Sequence, residues 1–598
     1  MGRVRDFHLL LFLSCLCRFA FLLPVDARAA GGSTPSARSG SRDARRGRFV
    51  PLTPLTLEDL YAKRMRFLDG EPMISVGVAT DRQAVTLKAD GPTRVMLEED
   101  GVPKTVYAPP ETAFSIRPIS AHPAKLRYWA TVDTVPYGDA SRLKEASEVW
   151  QARGFRVSSF VVGTIVALRG NVLDTRESRV VVGGVEREAE INALIADIFK
   201  AHAVRATVHV ELVSLPGGVL GVFDERGRAI HQAGDVVYFG TVEGGLIEVD
   251  SAPKDASSRR RAAPRSRSRS RANGRARFWG NIYVTFDANG RLAVVNSVGA
   301  EALLAGLVPA EMFATAPLEA LKAQAVTARG EIFSKLGHRH FGEPFHLCSE
   351  QHCQMYQGAG QERPPTTRAV RETKGLLAVR PSSGSGRGRP LELVDSVYSA
   401  VCGGFSEANE IVWDHHPSKS LRPRLDGSPQ DPALAPFADG LTEANIRAWV
   451  SSYPPTDCAR SSFAPSDKVR WQKTWKRADL DRFIAPLGVG QLKGLEVLGR
   501  GRGGRVTGLR VIGTRGEANV LHELPVRKMF GDLRSGMFVL DVARDAEGEI
   551  TAVSFVGGGW GHGVGMCQVG AIGRAERGQS FRQILKHYYS GAVVKRIY

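Results

Sequence analysis

The apolar positions alternate every second residue in some stretches and recur every three or four in others, so both strands and helices are expected. Leu57 to Phe67 has helical spacing. "MISVGVAT" and "AVTLKAD" then read as strands, with a turn at Asp100-Gly101. "LRYWATVDTV" at Leu126 to Val135 alternates like a strand, and Leu143, Ala146, Val149 and Trp150 give Ser141 to Arg153 a helical face. "RVSSFVVGTIVAL" and "SRVVVGG" supply two more strands. Ile191, Leu194, Ile195, Ile198 and Phe199 line a second helix, and "ATVHVELVSL" at Ala206 to Leu215 closes the run. The order across 121–216 is βαββαβ. Phe223 to Val249 is again β-rich.

From Phe278 the pattern changes. "NIYVTFDANGRLAVVNSV" reads as a hairpin turning at Asn289-Gly290, and a helix from about Ala300 leads to Glu311. Leu318, Leu321, Ala325 and Val326 place one apolar face on the next helix, which runs to about Lys335. Pro317 suits its first position, and Glu319 sits where the helix dipole favours an acid. "LELVDSVYSA" reads as one strand ending at Gly403-Gly404, followed by a loop at Arg422 to Pro436. Residues 469–598 add strands, a glycine-rich "GWGHGVG" loop, a helix over Gln568 to Arg577 and a last helix through Ile584, Leu585 and Tyr588. The expected class is α/β of the α+β kind, with the βαββαβ unit as an inserted small domain.

Charge changes the picture at the ends and between the halves. The 598 residues carry 80 Lys and Arg against 62 Asp and Glu, a net charge of +18. Nine arginines and no acids fall between Arg259 and Arg277, and residues 38–48 add five arginines against Asp43. Both runs read as solvated linkers, at 257–277 and 30–50. The Arg/Ser run has no interleaved aromatics and no RNA-binding motif, so no nucleic-acid partner is expected. An anionic wall polymer remains compatible with the charge. Arg3 and Arg5 precede an apolar run from Leu9 to Leu23, broken by Arg18, and Ala27-Arg28-Ala29 gives a small-x-small site. Residues 1–29 are therefore expected to be a secretory signal, with no membrane span after its removal and a place in the periplasm or cell envelope.

Cysteine use fits that compartment. Cys15 and Cys17 leave with the signal, and Cys348, Cys353, Cys402, Cys458 and Cys567 remain. Cys402 with Cys458 is the expected disulfide, with Cys567 unpaired. Cys348, His352 and Cys353 have C-x3-H-C spacing, a ligand set suited to zinc, with His346 as a spare ligand and a Cys348–Cys353 disulfide as the alternative. Zinc is the expected cofactor, in a structural role.

The motifs "AEM", "EALKAQAVTAR", "HCQMYQG", "YSAVCGGFSE" and "GWGHGVGMCQVGAIGRAERG" resemble, in the same order over 278–598, the stage II sporulation protein D (SpoIID/LytB) family. The resemblance implies a peptidoglycan lytic transglycosylase, or the alternative of a non-catalytic enhancer of a cell-wall amidase. It makes Glu311 the general acid and then base, and implies a zinc near the cleft. Lys322, Gln354, Tyr356, Ser399, Gly403, Gly404, His562 and Gln568 fall in these motifs and are the expected substrate-binding residues. The two glycines would let a backbone approach a sugar ring; His562 would either bond a saccharide or fix its loop. Glycan strands are the expected partner, with an amidase second. On this reading 51–120 is the N-terminal part of the SpoIID-like region, 217–256 a β-rich segment and 278–598 the catalytic domain. The 121–216 insert resembles SPOR domains in topology, which implies glycan binding; a spacer is the alternative.

Overall fold

A computed structural model describes residues 54–250, 275–381 and 391–598, apart from residues 169, 203, 414 and 415. The expected signal, the 30–50 linker and nearly all of the Arg/Ser run lie outside the described residues. Among those described, no helix is long and apolar enough to cross a membrane.

Two curled sheets make the N-terminal core. In one, Arg66–Leu68, Glu71–Arg82, Leu292–Gly299, Asn281–Phe286, Val237–Thr241, Thr93–Glu99 and Val102–Ala108 are neighbours in that order. In the other the order is Ala229–Ala233, Gly217–Phe223, Phe114–His122, Val85–Ala89, Ile247–Asp250 and Arg275–Phe278. Alternation puts every second side chain of Val85–Ala89 inside. Leu87, Ile116 and Leu220 of the second sheet and Ile74, Phe239 and Val294 of the first are fully buried in one core. Strands Arg66–Leu68, Glu71–Arg82, Thr93–Glu99 and Val102–Ala108 thus share a sheet with Val237–Thr241, Asn281–Phe286 and Leu292–Gly299, across the expected boundary at Phe278. The first helix is shorter than expected. Leu57–Ala62 ends where Lys63 turns left-handed at φ 49°, and Arg66–Leu68 is already a strand.

The insert has its own antiparallel sheet, ordered Thr207–Ser214, Lys125–Pro136, Glu177–Val185, Val157–Val162. Helices Ala140–Ala152 and Glu188–His202 bury Trp150, Ile191 and Ile198 against it. The βαββαβ order holds, with an extra hairpin, Ile165–Leu168 and Asn171–Asp174. The unit leaves and rejoins the main sheet between paired residues, His122 and Gly217.

Leu318–Lys335 is the central helix of the C-terminal half. It packs against helices Ala300–Glu311, Pro364–Glu372, Gln568–Glu576 and Phe581–Tyr588 and against strand Leu376–Arg380. Instead of one apolar face it is buried nearly all round, including Gln324, Thr327 and Arg329. Arg329 makes this tolerable: its guanidinium donates to both Glu301 oxygens (2.9 and 2.7 Å) and to the Leu376 carbonyl (3.0 Å). "LELVDSVYSA" is not one strand. Glu392–Leu393 pairs with Leu376–Arg380, and Tyr398–Ser399 pairs in parallel with Met566–Cys567. The break between them is where Ser396 turns back onto the Val394 carbonyl. The expected loop at 422–436 contributes buried Leu425, Asp426 and Leu434. Two three-stranded sheets, Arg470–Lys476 with Ile550–Gly558 and Phe538–Arg544, and Leu492–Arg500 with Val506–Gly513 and Gly516–Leu521, close over a core of Leu480, Val506, Phe530 and Phe555.

Candidate active site

Glu311 is the last residue of the helix Ala300–Glu311, and its place is set by main chain and side chain separately. The Gln568 amide donates to the Glu311 carbonyl (2.8 Å) and to Gln324 Oε1 (3.3 Å), so the start of the helix Gln568–Glu576 fixes where the helix Ala300–Glu311 stops. The carboxyl is enclosed although the residue as a whole is only part-buried. It bonds the Tyr398 hydroxyl and the Met355 backbone N–H. Burial raises its pKa from 4.5 to about 7, against the lowering pull of Tyr398 and Lys335 and with a further push from the Glu331 charge.

Glu331 and Lys335 form an ion pair one turn apart on the central helix. The second Glu331 oxygen is buried without a partner. Asp395, an exposed residue whose carboxyl bonds Ser334, is itself raised to about 6, by desolvation of that carboxyl first and by the Glu331 charge second. The site therefore gathers three carboxyls around one lysine, the arrangement that keeps one of them protonated near neutrality. Tyr398 stays a neutral donor: burial, and then Glu311, push its pKa well up. Of the apolar neighbours in sequence, Val308 and Met312 are buried, while Phe313 is exposed and faces Phe463 at 5.7 Å between ring centres.

The other expected substrate residues fall into distinct places. Gln354 reaches the Tyr398 hydroxyl at 3.4 Å, leaving its own Oε1 buried and unbonded. Ser399 Oγ is likewise buried without a partner. Tyr356 does not face the site; it is buried, and its hydroxyl donates to Asn296 at 3.0 Å. Lys322 is held by two carboxylates, Glu319 and Glu372, each at 2.8 Å. The two glycines are packed closely against protein. A side chain on Gly403 would strike the Gly558 backbone at 2.8 Å, and one on Gly404 the Trp449 ring at 2.6 Å, both at positive φ. His562 fixes its loop. Nε2 lies 2.9 Å from the Tyr398 carbonyl, Nδ1 accepts from Val564 N–H at 3.0 Å, and burial with the nearby Arg505 charge lowers its pKa to about 3.

Rival acids are committed elsewhere. Glu301 pairs with Arg329, Glu319 accepts from Phe581 N–H (2.8 Å), and Glu407 accepts from Ala408, Gly503 and Arg505 N–H groups. Tyr398, Glu331, Lys335 and Asp395 were not singled out from sequence. Glu331 and Lys335 sit two and three turns beyond Gln324 on the same helix, the spacing that could have marked them. Replacing Tyr398 with Phe removes a bond that favours the Glu311 carboxylate, so the Glu311 pKa rises. The alkaline limb of any activity that needs protonated Glu311 is expected to move to higher pH; a pH–rate profile with an unmoved limb would refute the contact.

Beside this site, the ligand atoms of His340, Cys348, His352 and Cys353 lie within 4.8 Å of one another. His340 Nε2 is 3.2 Å from Cys353 Sγ, and His352 Nδ1 is 3.7 Å from Cys348 Sγ. The spare ligand is His340 and not His346. His346 spends both ring nitrogens on Ser75 Oγ (2.6 Å) and the Lys63 carbonyl (2.9 Å). His340 takes the left-handed φ of 57°, a strained backbone that aims its ring at the thiols. Hydrogen bonds from Cys353, His340 and His352 favour the Cys348 thiolate, and both cysteines are free thiols. Two sulfurs and two imidazoles fit a closed tetrahedral zinc site. A shallow hollow of about 230 Å³ lined by Lys88, Asp90, Glu111 and Arg277 shares no residue with either cluster; its charges pair with one another.

Comparison with known proteins sets this site in a family. Residues 288–379 match the family described as stage II sporulation protein, SpoIID, and residues 407–565 match a domain of unknown function, DUF8618. The amidase enhancer of Bacillus subtilis is 27% identical over 309 residues, 49% of this chain and 40% of that protein. Stage II sporulation protein D of Bacillus amyloliquefaciens is 24% identical, covering 50% of this chain and 74% of its own length. An uncharacterized protein of Brachyspira hyodysenteriae is also 24% identical, over 51% and 68%. The chain spans less than half the length of the first of these relatives. The matched stretch contains Glu311, the central helix and the His340 cluster, so this part of the chain carries the SpoIID domain.

Proposed function

We propose that this is an exported cell-wall protein that cleaves peptidoglycan glycan strands by lytic transglycosylation, with Glu311 as its acid and base. The observation that carries the reading is the enclosed Glu311 carboxyl, raised to about 7 and bonded to Tyr398. A group with that pKa holds a proton near neutrality and can return to the carboxylate within one turnover. Protonated Glu311 gives its proton to the glycosidic oxygen as the C1–O bond breaks. The carboxylate then takes the proton of the muramic acid C6 hydroxyl, whose oxygen closes onto C1. Water takes no part, so no second carboxylate has to activate it. The exposed ring of Phe313, two residues away, offers a face on which a sugar can stack.

His340, Cys348, His352 and Cys353 would hold zinc in a structural role. Bound there, the ion supplies a cross-link that fixes the segment leading to Gln354 and Met355. A second reading, enhancement of a cell-wall amidase without catalysis, draws on the name of the B. subtilis relative. Purified protein incubated with glycan strands separates the two. Fragments ending in 1,6-anhydro-muramic acid, one water lighter than hydrolytic products by mass spectrometry, are expected. Reducing ends would mean hydrolysis, and no release without an added amidase would favour the enhancer.

A further inference from the structure

A second group of metal-binding side chains lies apart from Glu311 and the His340 cluster. Cys402, Asp426, Cys458 and Cys567 are all buried, and their ligand atoms lie within 4.8 Å of one another. Cys402 and Cys458 sulfurs are 3.8 Å apart as free thiols, so the disulfide expected between them is not formed. Cys402 Sγ is 3.4 Å from Asp426 Oδ2. Cys567 Sγ accepts two backbone N–H groups, from Cys402 and from Gly570, each at 3.2 Å. It caps the N-terminus of the helix Gln568–Glu576. The other Asp426 oxygen is already placed: Oδ1 accepts from the Tyr588 hydroxyl (2.7 Å) and lies 3.5 Å from Arg574 Nε. Oδ2 accepts the Cys458 backbone N–H at 3.1 Å and faces the Cys402 sulfur.

We propose that Cys402, Asp426, Cys458 and Cys567 form a second, closed zinc site. A disulfide would use two of the three sulfurs and strand the third against a buried carboxylate. A tetrahedral divalent ion uses all four donors at once. Three thiolates and a carboxylate bring the same four negative charges as a four-cysteine site, and Arg574 lies beside the carboxylate to offset the excess. The N–H bonds to Cys567 and the Tyr588 bond to Asp426 are the outer contacts that hold such ligands in place. Binding releases the thiol protons to solvent. The ion would join three stretches: the chain just after Tyr398–Ser399, the segment 407–565 that supplies Asp426 and Cys458, and the helix of Gln568, which holds the Glu311 carbonyl.

The test uses the full chain with Cys348→Ser, which breaks the His340 cluster and leaves this one intact. About one zinc per chain is expected to remain. Cobalt(II) in its place should give intense thiolate-to-metal charge-transfer absorption, and both signals should vanish in Cys348→Ser/Cys458→Ser. A Cys348→Ser chain that takes up neither ion, or whose peptide map shows a Cys402–Cys458 disulfide, overturns the proposal. If Cys348→Ser does not fold, alkylation of the unsubstituted chain decides. Cys402, Cys458 and Cys567 should be shielded until a strong chelator is added, and any pattern that the chelator leaves unchanged overturns the site.

Discussion

Glu311→Gln is expected to abolish glycan cleavage almost entirely while making the protein more stable above neutral pH. Gln keeps the shape and the bond to Tyr398 but has no proton to transfer, so turnover should fall by about 10²–10⁴-fold, the usual contribution of general acid–base catalysis. The stability change follows from the same burial. A free glutamate titrates near 4.5, and Glu311 near 7. Below 4.5 both folded and unfolded chains hold the proton and no penalty exists. As pH rises through that interval the unfolded chain gives up its proton first, so stability falls, and the full cost is present above 7. It amounts to on the order of 3 kcal/mol. Denaturant melts at pH 4 and pH 8 should show Gln matching the parent at the first and exceeding it at the second. Equal stability at both, with unchanged activity, would remove Glu311 from the mechanism.

The second large effect is expected at Arg329, far from any solvent. Its side chain has no exposed surface, and its partner Glu301 also accepts from the Tyr598 hydroxyl (2.7 Å) and Gly375 N–H (3.2 Å). Arg329→Leu leaves that carboxylate buried and without its counter-charge. A loss of about 3–5 kcal/mol is expected, as for other buried pairs broken on one side. Replacing both partners, Arg329→Leu with Glu301→Gln, should recover part of the loss. A single variant as stable as the parent by chemical denaturation would contradict the account of why this helix tolerates being buried all round.

These two residues also mark what the sequence could and could not convey. The helices ending at Glu311 and Lys335, the 281–299 hairpin and the βαββαβ order came from local periodicity, because neighbouring residues decide them. Arg329 was invisible to that reasoning: its partner Glu301 is one helix earlier, Leu376 comes from a remote strand, and Tyr598 lies beyond the last strand. The single apolar face assigned to the central helix failed for the same reason. His340 and His346 are chemically equal in a sequence; only the fold gives His346 to Ser75 and His340 to the thiols. Tyr356 and Gln354 sit two apart in one motif, yet one faces Asn296 and the other Tyr398. Motif membership located the neighbourhood of the site and could not say which side chain turned inward.

The insert's point of departure has a consequence for descent. Because the unit leaves and returns between His122 and Gly217, which are paired in one ladder, a single in-frame genetic event can add or delete about ninety residues without breaking a strand. The host sheet keeps its register either way. Such an event would disturb the contacts the insert makes with its host, among them the Gly163 N–H bond to the Gly337 carbonyl (2.8 Å), His338 with the Thr175 carbonyl (2.9 Å) and the Leu391 N–H bond to the Val172 carbonyl (2.8 Å). A lineage that lost the module would thus face selection on Gly337, His338, Leu391 and their neighbours.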